Sequence, residues 1–302
     1  MVGNVIQIVT EKLSSLPFIE GIVLGGSRAR GTHTENSDID IGIYYNSDSF
    51  DLTAINQIAT ELDDKNRNNL VVPPGAWGDW INGGGWLFIN GYHVDLILRD
   101  IKRVEQIIKD TEQGIVTANY QTGHPHGYIS AMYRGELAIS KILYAKNESL
   151  CELKKQAEIY PTALKKSLMN FFIFEAEFSL MFVKANAGVE DKYYIGGHVF
   201  RIISCLNQVL FACNNACLLY TSFVRLTKTN GPSDLTRFNL FNAISISGSP
   251  AQGYSCLLYT STSPHWTPLL LTTPTISSSI LFRRCSVSLH LYFNIYNYCI
   301  AV

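Results

Sequence analysis

The chain has 302 residues, 47% of them apolar and 16% charged, with a formal net charge of −1. A near-neutral balance gives no global pull toward nucleic acid or an anionic membrane, so neither is an expected partner. The start of the chain lacks a basic segment followed by an apolar run, and no stretch reads as apolar enough to cross a bilayer. The cysteines form no CxxC or Cys/His set, which argues against a zinc site and suits reduced thiols in the cytoplasm.

In chain order, "NVIQIVTEKLSSL" repeats apolar residues with helical spacing, and "FIEGIVLGG" reads as a buried strand running into glycines. A turn follows, then the alternating strand "DIDIGIYY" and a second amphipathic helix, "DLTAINQIATELDD". Residues 65–85 carry Pro73, Pro74, Trp77 and Trp80 among glycines and predict a long loop, with Trp77, Trp80 and Trp86 available as a stacking wall. "GWLFINGYHVDLILRD" predicts a hairpin turning at Asn90-Gly91, and "IKRVEQIIKDTEQG" a helix. After a linker holding His124 and His126, the pattern reads as helix over 128–143, 150–180 and 193–211. The aromatic run "NFFIFEAEFSLMF" predicts the core of that helical part.

The chemistry sits in "GGSRARGTHTENSDIDIGIYY". Gly26 and Ser27 form a tight turn whose backbone amides and hydroxyl suit a phosphate, with Arg28 and Arg30 close behind. Asp38 and Asp40 share one face of the next strand, because side chains two apart point the same way. Two like charges so near each other call for a divalent cation such as magnesium. Asp95, in the otherwise apolar "YHVDLIL", is costly inside a strand unless it joins that cluster or pairs with Arg28 or Arg30. Glu136, in "YISAMYRGELAISKILY", reads either as a solvated helix-face residue or as a general base for an acceptor.

Gly26-Ser27, ten intervening residues, Asp38-Ile39-Asp40 and then Asp95 resemble the nucleotidyltransferase superfamily that includes DNA polymerase beta and kanamycin nucleotidyltransferase. The wording is similar to the bacterial minimal and antibiotic-modifying branches. The resemblance implies an α+β fold: a small mixed-sheet catalytic domain over 1–114, then an α-helical acceptor- or partner-side domain over 128–216. It implies that Asp38 and Asp40 bind Mg2+, that Asp95 binds the second Mg2+ of a two-metal site or accepts the proton of the attacking hydroxyl, and that Gly26, Ser27, Arg28 and Arg30 meet an NTP, ATP foremost. The implied reaction passes an NMP to a hydroxyl of a small-molecule acceptor such as an aminoglycoside-like antibiotic. Two other functions fit: an antitoxin-like enzyme that AMPylates a protein partner, and a nucleotide-binding regulator without turnover.

The tail reads differently. After Cys217 the only charged residues are Arg225, Lys228, Asp234, Arg237, Arg283 and Arg284, and no periodic pattern persists. "CLLYTS" recurs letter for letter at Cys217–Ser222 and Cys256–Ser261, and it matches one reading frame of a transposon-end adapter used in sequencing-library preparation. Residues 217–302 are therefore expected to be a chimeric tail without a credible fold, following a truncated helical domain.

Overall fold

The computed structural model describes residues 2–186 and 191–217, and beyond them only the backbone of short strands between 237 and 291. The expectation of a non-native tail thus lies, apart from Cys217 and the backbone of those strands, outside the described residues. Contacts divide the chain into one unit over Met1–Leu164 and a second over Lys165–Val302.

The first unit is α+β, as expected. Its elements are α1 (Val2–Ser14), β1 (Ile19–Leu24), the short α2 (Gly26–Arg30), β2 (Ile39–Tyr45), α3 (Leu52–Leu62), β3 (Gly83–Ile89) and β4 (Tyr92–Asp100). They continue with α4 (Ile101–Glu112), β5 (Ala118–Asn119), β6 (Tyr128–Ile129), α5 (Met132–Ile139), β7 (Lys141–Ala145) and α6 (Glu148–Glu158). The main sheet has five strands in the order β3-β4-β2-β1-β7. Only β2 and β4 run parallel; the other pairings are antiparallel.

Alternation explains how the sheet is used. Ile39, Ile41 and Ile43 of β2 and Val94, Leu96 and Leu98 of β4 point to one face, where they meet Val5, Val9 and Leu13 of α1 and Ile55 and Ala59 of α3. The carboxylate of Asp51 starts α3 by accepting from the Thr53 and Ala54 amides, and Asp100 does the same for α4 through the Lys102 amide. Asn90 and Gly91 join β3 to β4 with φ of 51° and 79°, the left-handed pair that a two-residue hairpin turn requires. The intervening residues of β2 and β4, among them Asp40 and Asp95, point to the opposite face.

Two sequence readings change here. The stretch 128–143 is not one helix: β6 and α5 are followed by β7, which pairs with β1 and closes one side of the main sheet. The first unit accordingly runs past the boundary expected at 115–127. Arg134 ties this part together. Its guanidinium is buried and donates to Ile108 O and Thr111 Oγ1 at the end of α4, and to Gln156 O and Ile159 O at the end of α6. A cation placed on the carbonyls of two helix C-termini is favoured by both dipoles.

The second unit holds α7 (Thr162–Ala185) from Lys165 onward and α8 (Lys192–Cys213), side by side. Arg201 pairs with Glu175, Phe182 stacks on His198 at 5.0 Å, and Lys165 Nζ donates to Cys213 O at 2.9 Å. The aromatic run is only partly core: Phe172 and Ala176 are buried, whereas Phe174, Phe178 and Met181 are exposed. The expectation that no stretch is apolar enough to cross a bilayer fails for α8, whose 22 residues meet that test by length and composition. The reason is its Ile-, Phe- and Leu-rich composition, with few charges to offset it.

Candidate active site

The open face of the sheet carries a row of three residues in register. Asp40 of β2 lies opposite Asp95 of β4, and Asp95 lies opposite Trp86 of β3. Residues directly opposite one another on neighbouring strands share a face with their Cβ atoms about 5 Å apart. Asp38 immediately precedes β2 and is exposed; Asp40 and Asp95 are half-buried.

Electrostatics confirm that these carboxylates feel one another. Burial, then the charge on Asp38, raise the Asp40 carboxyl above its ordinary range; Arg30 and Arg28 pull it down. Asp95 is pushed up to about 6, first by burial and then by Asp40 and Asp38, with only His93 opposing. The alternative reading of Asp95 as the partner of Arg28 or Arg30 does not hold, since neither arginine figures among the charges acting on it.

The turn after β1 is built around Asp40. The Gly25 amide donates to Asp40 O at 2.8 Å. Gly26 has φ of 58°, and a Cβ there would stand 1.8 Å from Asp40 Oδ2. Glycine is thus demanded twice, by backbone conformation and by the carboxylate lying against it. Ser27 follows in α2 and is half-buried. Arg28 is buried and donates through Nε to Asp38 O (3.0 Å) and through a terminal nitrogen to Ser37 O (2.5 Å). It therefore fastens the turn to the segment that delivers Asp38, rather than reaching toward solvent. Arg30 is exposed, and its Nε is 3.4 Å from Gly26 O.

A divalent cation is implied by the residue pattern. The donors have the right chemistry: three carboxylates with hard oxygens, two of them held above their ordinary pKa by burial and then by neighbouring carboxylate charge, and room at Asp40 that a Cβ at position 26 would fill. Among the described residues, however, no three His, Cys, Asp or Glu side chains converge tightly enough to hold a metal ion in this arrangement. What fits a divalent cation is the donor chemistry, hard carboxylate oxygens of the kind that such an ion takes together with phosphate oxygens and water.

Glu136 is held in an ion pair, and its charge also reaches Asp40. Its carboxylate accepts from Arg99 Nε at 2.9 Å and from the Arg99 terminal nitrogen at 3.0 Å, and Tyr128 Oη donates to it at 3.2 Å. The Arg99 side chain is 3% exposed. Both Glu136 oxygens, supplied by α5, are thus committed to the buried Arg99 guanidinium of β4.

The tryptophans divide into two groups. Trp77 and Trp86 stack on each other with centroids 4.6 Å apart. Trp80 instead packs against Tyr128 and Tyr133, with the Arg103 guanidinium 4.2 Å above its ring. The loop that carries them is pinned. Gln121 Oε1 accepts from the Trp80 and Ile81 amides, Gln121 Nε2 donates to Trp77 O, and Tyr133 Oη donates to Trp80 O. Sequence reasoning missed Arg99, Gln121 and Tyr133. Arg99 carried a usable signal, being a charge in the same apolar strand as Asp95.

Residues 3–117 match the family model of the nucleotidyltransferase domain. A nucleotidyltransferase-like protein from Exiguobacterium sibiricum 255-15, known from its crystal structure, is similar at 12% identity and a TM-score of 0.39, over 73% of this chain and 60% of that one. The chain therefore spans less than two thirds of that protein's length. No curated protein matches. Strands β1 to β4, the Gly-Ser turn and the carboxylate row all belong to the matched stretch, and residues 3–117 are thus similar to the nucleotidyltransferase domain, a family of transferases of phosphorus-containing groups.

Proposed function

We propose that the protein transfers a nucleoside monophosphate, AMP foremost, from an NTP to a hydroxyl of a small-molecule acceptor of the aminoglycoside kind, with release of pyrophosphate. The observation that carries this reading is the in-register pair Asp40–Asp95 beside the Gly26-Ser27 turn. Asp38, Asp40 and Asp95 would hold Mg2+. When bound, the cation neutralises the carboxylates and the triphosphate charge between them.

The remaining work falls to the chain. The turn amides and the Ser27 hydroxyl orient the β- and γ-phosphates, and Arg30 adds positive charge at the same edge. Asp95 either completes the cation set or takes the proton of the acceptor hydroxyl. The acceptor oxygen forms a bond to the α-phosphorus, the bond from that phosphorus to the bridging oxygen breaks, and pyrophosphate leaves. Holding the two reactants in line supplies much of the rate. Arg28 acts by positioning Asp38. A cytoplasmic setting, where thiols such as Cys205 stay reduced, goes with this reading.

The test is transfer of label from ATP to an aminoglycoside and lincosamide panel. Label from the α-phosphate in an acceptor adduct, and none from the γ-phosphate, is the expected result. Transfer of the γ-label, or no adduct across the panel, would overturn the reading.

A further inference from the structure

We propose that Trp86, backed by Trp77, is the platform on which the acceptor lies, and that the acceptor it selects is a hydroxylated saturated ring, a sugar or an aminocyclitol. This inference rests on the functional reading above and adds the residue that binds the second substrate.

Strand order carries the argument. Across the open face run the Gly26-Ser27 turn after β1, then Asp40 on β2, Asp95 on β4 and Trp86 on β3. The phosphate-orienting turn is at one end of this line and the indole at the other, with the carboxylates between them. Trp86 is thus on the side of Asp95 away from the triphosphate, where the attacking hydroxyl must approach. In-register neighbours are about 5 Å apart, which is the width of a six-membered ring, so a ring laid on the indole presents a hydroxyl to Asp95.

Trp86 is built to be used. It is 61% exposed, although large aromatic side chains in this unit are otherwise mostly covered. One face is occupied by Trp77, which holds it flat; the two planes are 24° apart. Trp77 reaches this position because β3 begins with three glycines. A Cβ at Gly84 would stand 2.8 Å from the Trp77 ring and 1.9 Å from Leu96 O. Trp77 is itself held by its amide to Asn82 O at 3.1 Å and by Gln121 on its carbonyl. A platform already fixed loses little side-chain entropy on binding. The carbon-bound hydrogens of a saturated ring meet the negative face of the indole, and ammonium substituents add attraction to that face and to the neighbouring carboxylates.

The test is calorimetry on the full-length chain with Mg2+ and α,β-methylene ATP, an analogue that cannot transfer its α-phosphate. The titrants are 2-deoxystreptamine and methyl β-glucoside, which separate cationic from neutral rings. W86A is expected to weaken ring binding about tenfold, or about 1.4 kcal/mol. W86F should hold ring binding within about threefold, and both variants should bind the nucleotide analogue as the parent does. Because Trp86 is exposed, W86A leaves the core intact, and circular dichroism checks this. Unchanged ring affinity in W86A, a loss of nucleotide affinity instead, or no binding of either ring by the parent would each overturn the proposal. A parent that binds rings but transfers no α-label would overturn the functional reading and leave the platform standing.

Discussion

Two rows on the same face of the sheet handle charge in opposite ways. Toward one end, Tyr44 and Arg99 lie in register, and α5 covers them by supplying Glu136, so that a buried cation meets a carboxylate through two hydrogen bonds. Four residues back along the same strands, Asp40 and Asp95 lie in register with no compensating partner of that quality; burial and then the charge on Asp38 raise Asp40, and burial and then the charges on Asp40 and Asp38 raise Asp95. The closed row is an internally satisfied structural joint. The open row keeps like charges together, which a protein tolerates where a ligand supplies the opposite charge.

The largest expected effect comes from the open row. D40N removes one carboxylate from the cation set while leaving the shape of the site, and transfer should fall by about 10³-fold or more with melting temperature unchanged or raised. A D40N variant that keeps more than a tenth of the transfer rate would break the distinction between the rows. The closed row should respond the other way. R99M strips Glu136 of its buried partner, and chemical denaturation should show a loss of about 3–5 kcal/mol. Neutralising the orphan as well, in R99M/E136Q, should recover at least half of that loss and retain transfer. If E136Q by itself abolished transfer in a folded protein, Glu136 would be the acceptor base after all.

A smaller effect lies in pH. The Asp95 carboxyl is raised from 3.8 to about 6 on folding, so between those values the folded chain holds more protons than the unfolded one. Stability contributed by this group is therefore present below about pH 4 and is lost as pH rises toward 6. In EDTA, the melting temperature of the parent should fall relative to D95N across that window and run parallel to it above. A parent that gained on D95N over the same range would mean that Asp95 is stabilised as an anion, contrary to the open-row account.

Much of this arrangement was legible because its signals are local. Alternation alone places Asp38 and Asp40 on the polar face and Ile39, Ile41 and Ile43 in the core, and the Gly-Ser turn sits a fixed distance before them. The hairpin through Asn90-Gly91 delivers Asp95 and, unnoticed, Trp86 directly beside it. What escaped depends on contacts distant in sequence. Whether Glu136 is solvated or paired is decided by Arg99, 37 residues earlier. Arg99 could have been found by the reasoning that singled out Asp95, since a charge in an apolar strand needs a partner. "KILYA" reads as part of a helix because its apolar residues fit either period; its strand identity comes from pairing with β1. The tryptophans announced a loop of consequence, but their division into a stacked pair and a packed single ring is set by Gln121, Tyr133 and Arg103.

The account turns on the open row being a site for a cation and a triphosphate. Titrating Mn2+ into the full-length chain with α,β-methylene ATP, and following water-proton relaxation, tests this without any need for the acceptor. The account predicts saturable Mn2+ binding that depends on the nucleotide analogue and is lost in the folded D38N/D40N/D95N variant. Equal Mn2+ binding by parent and triple variant would contradict it.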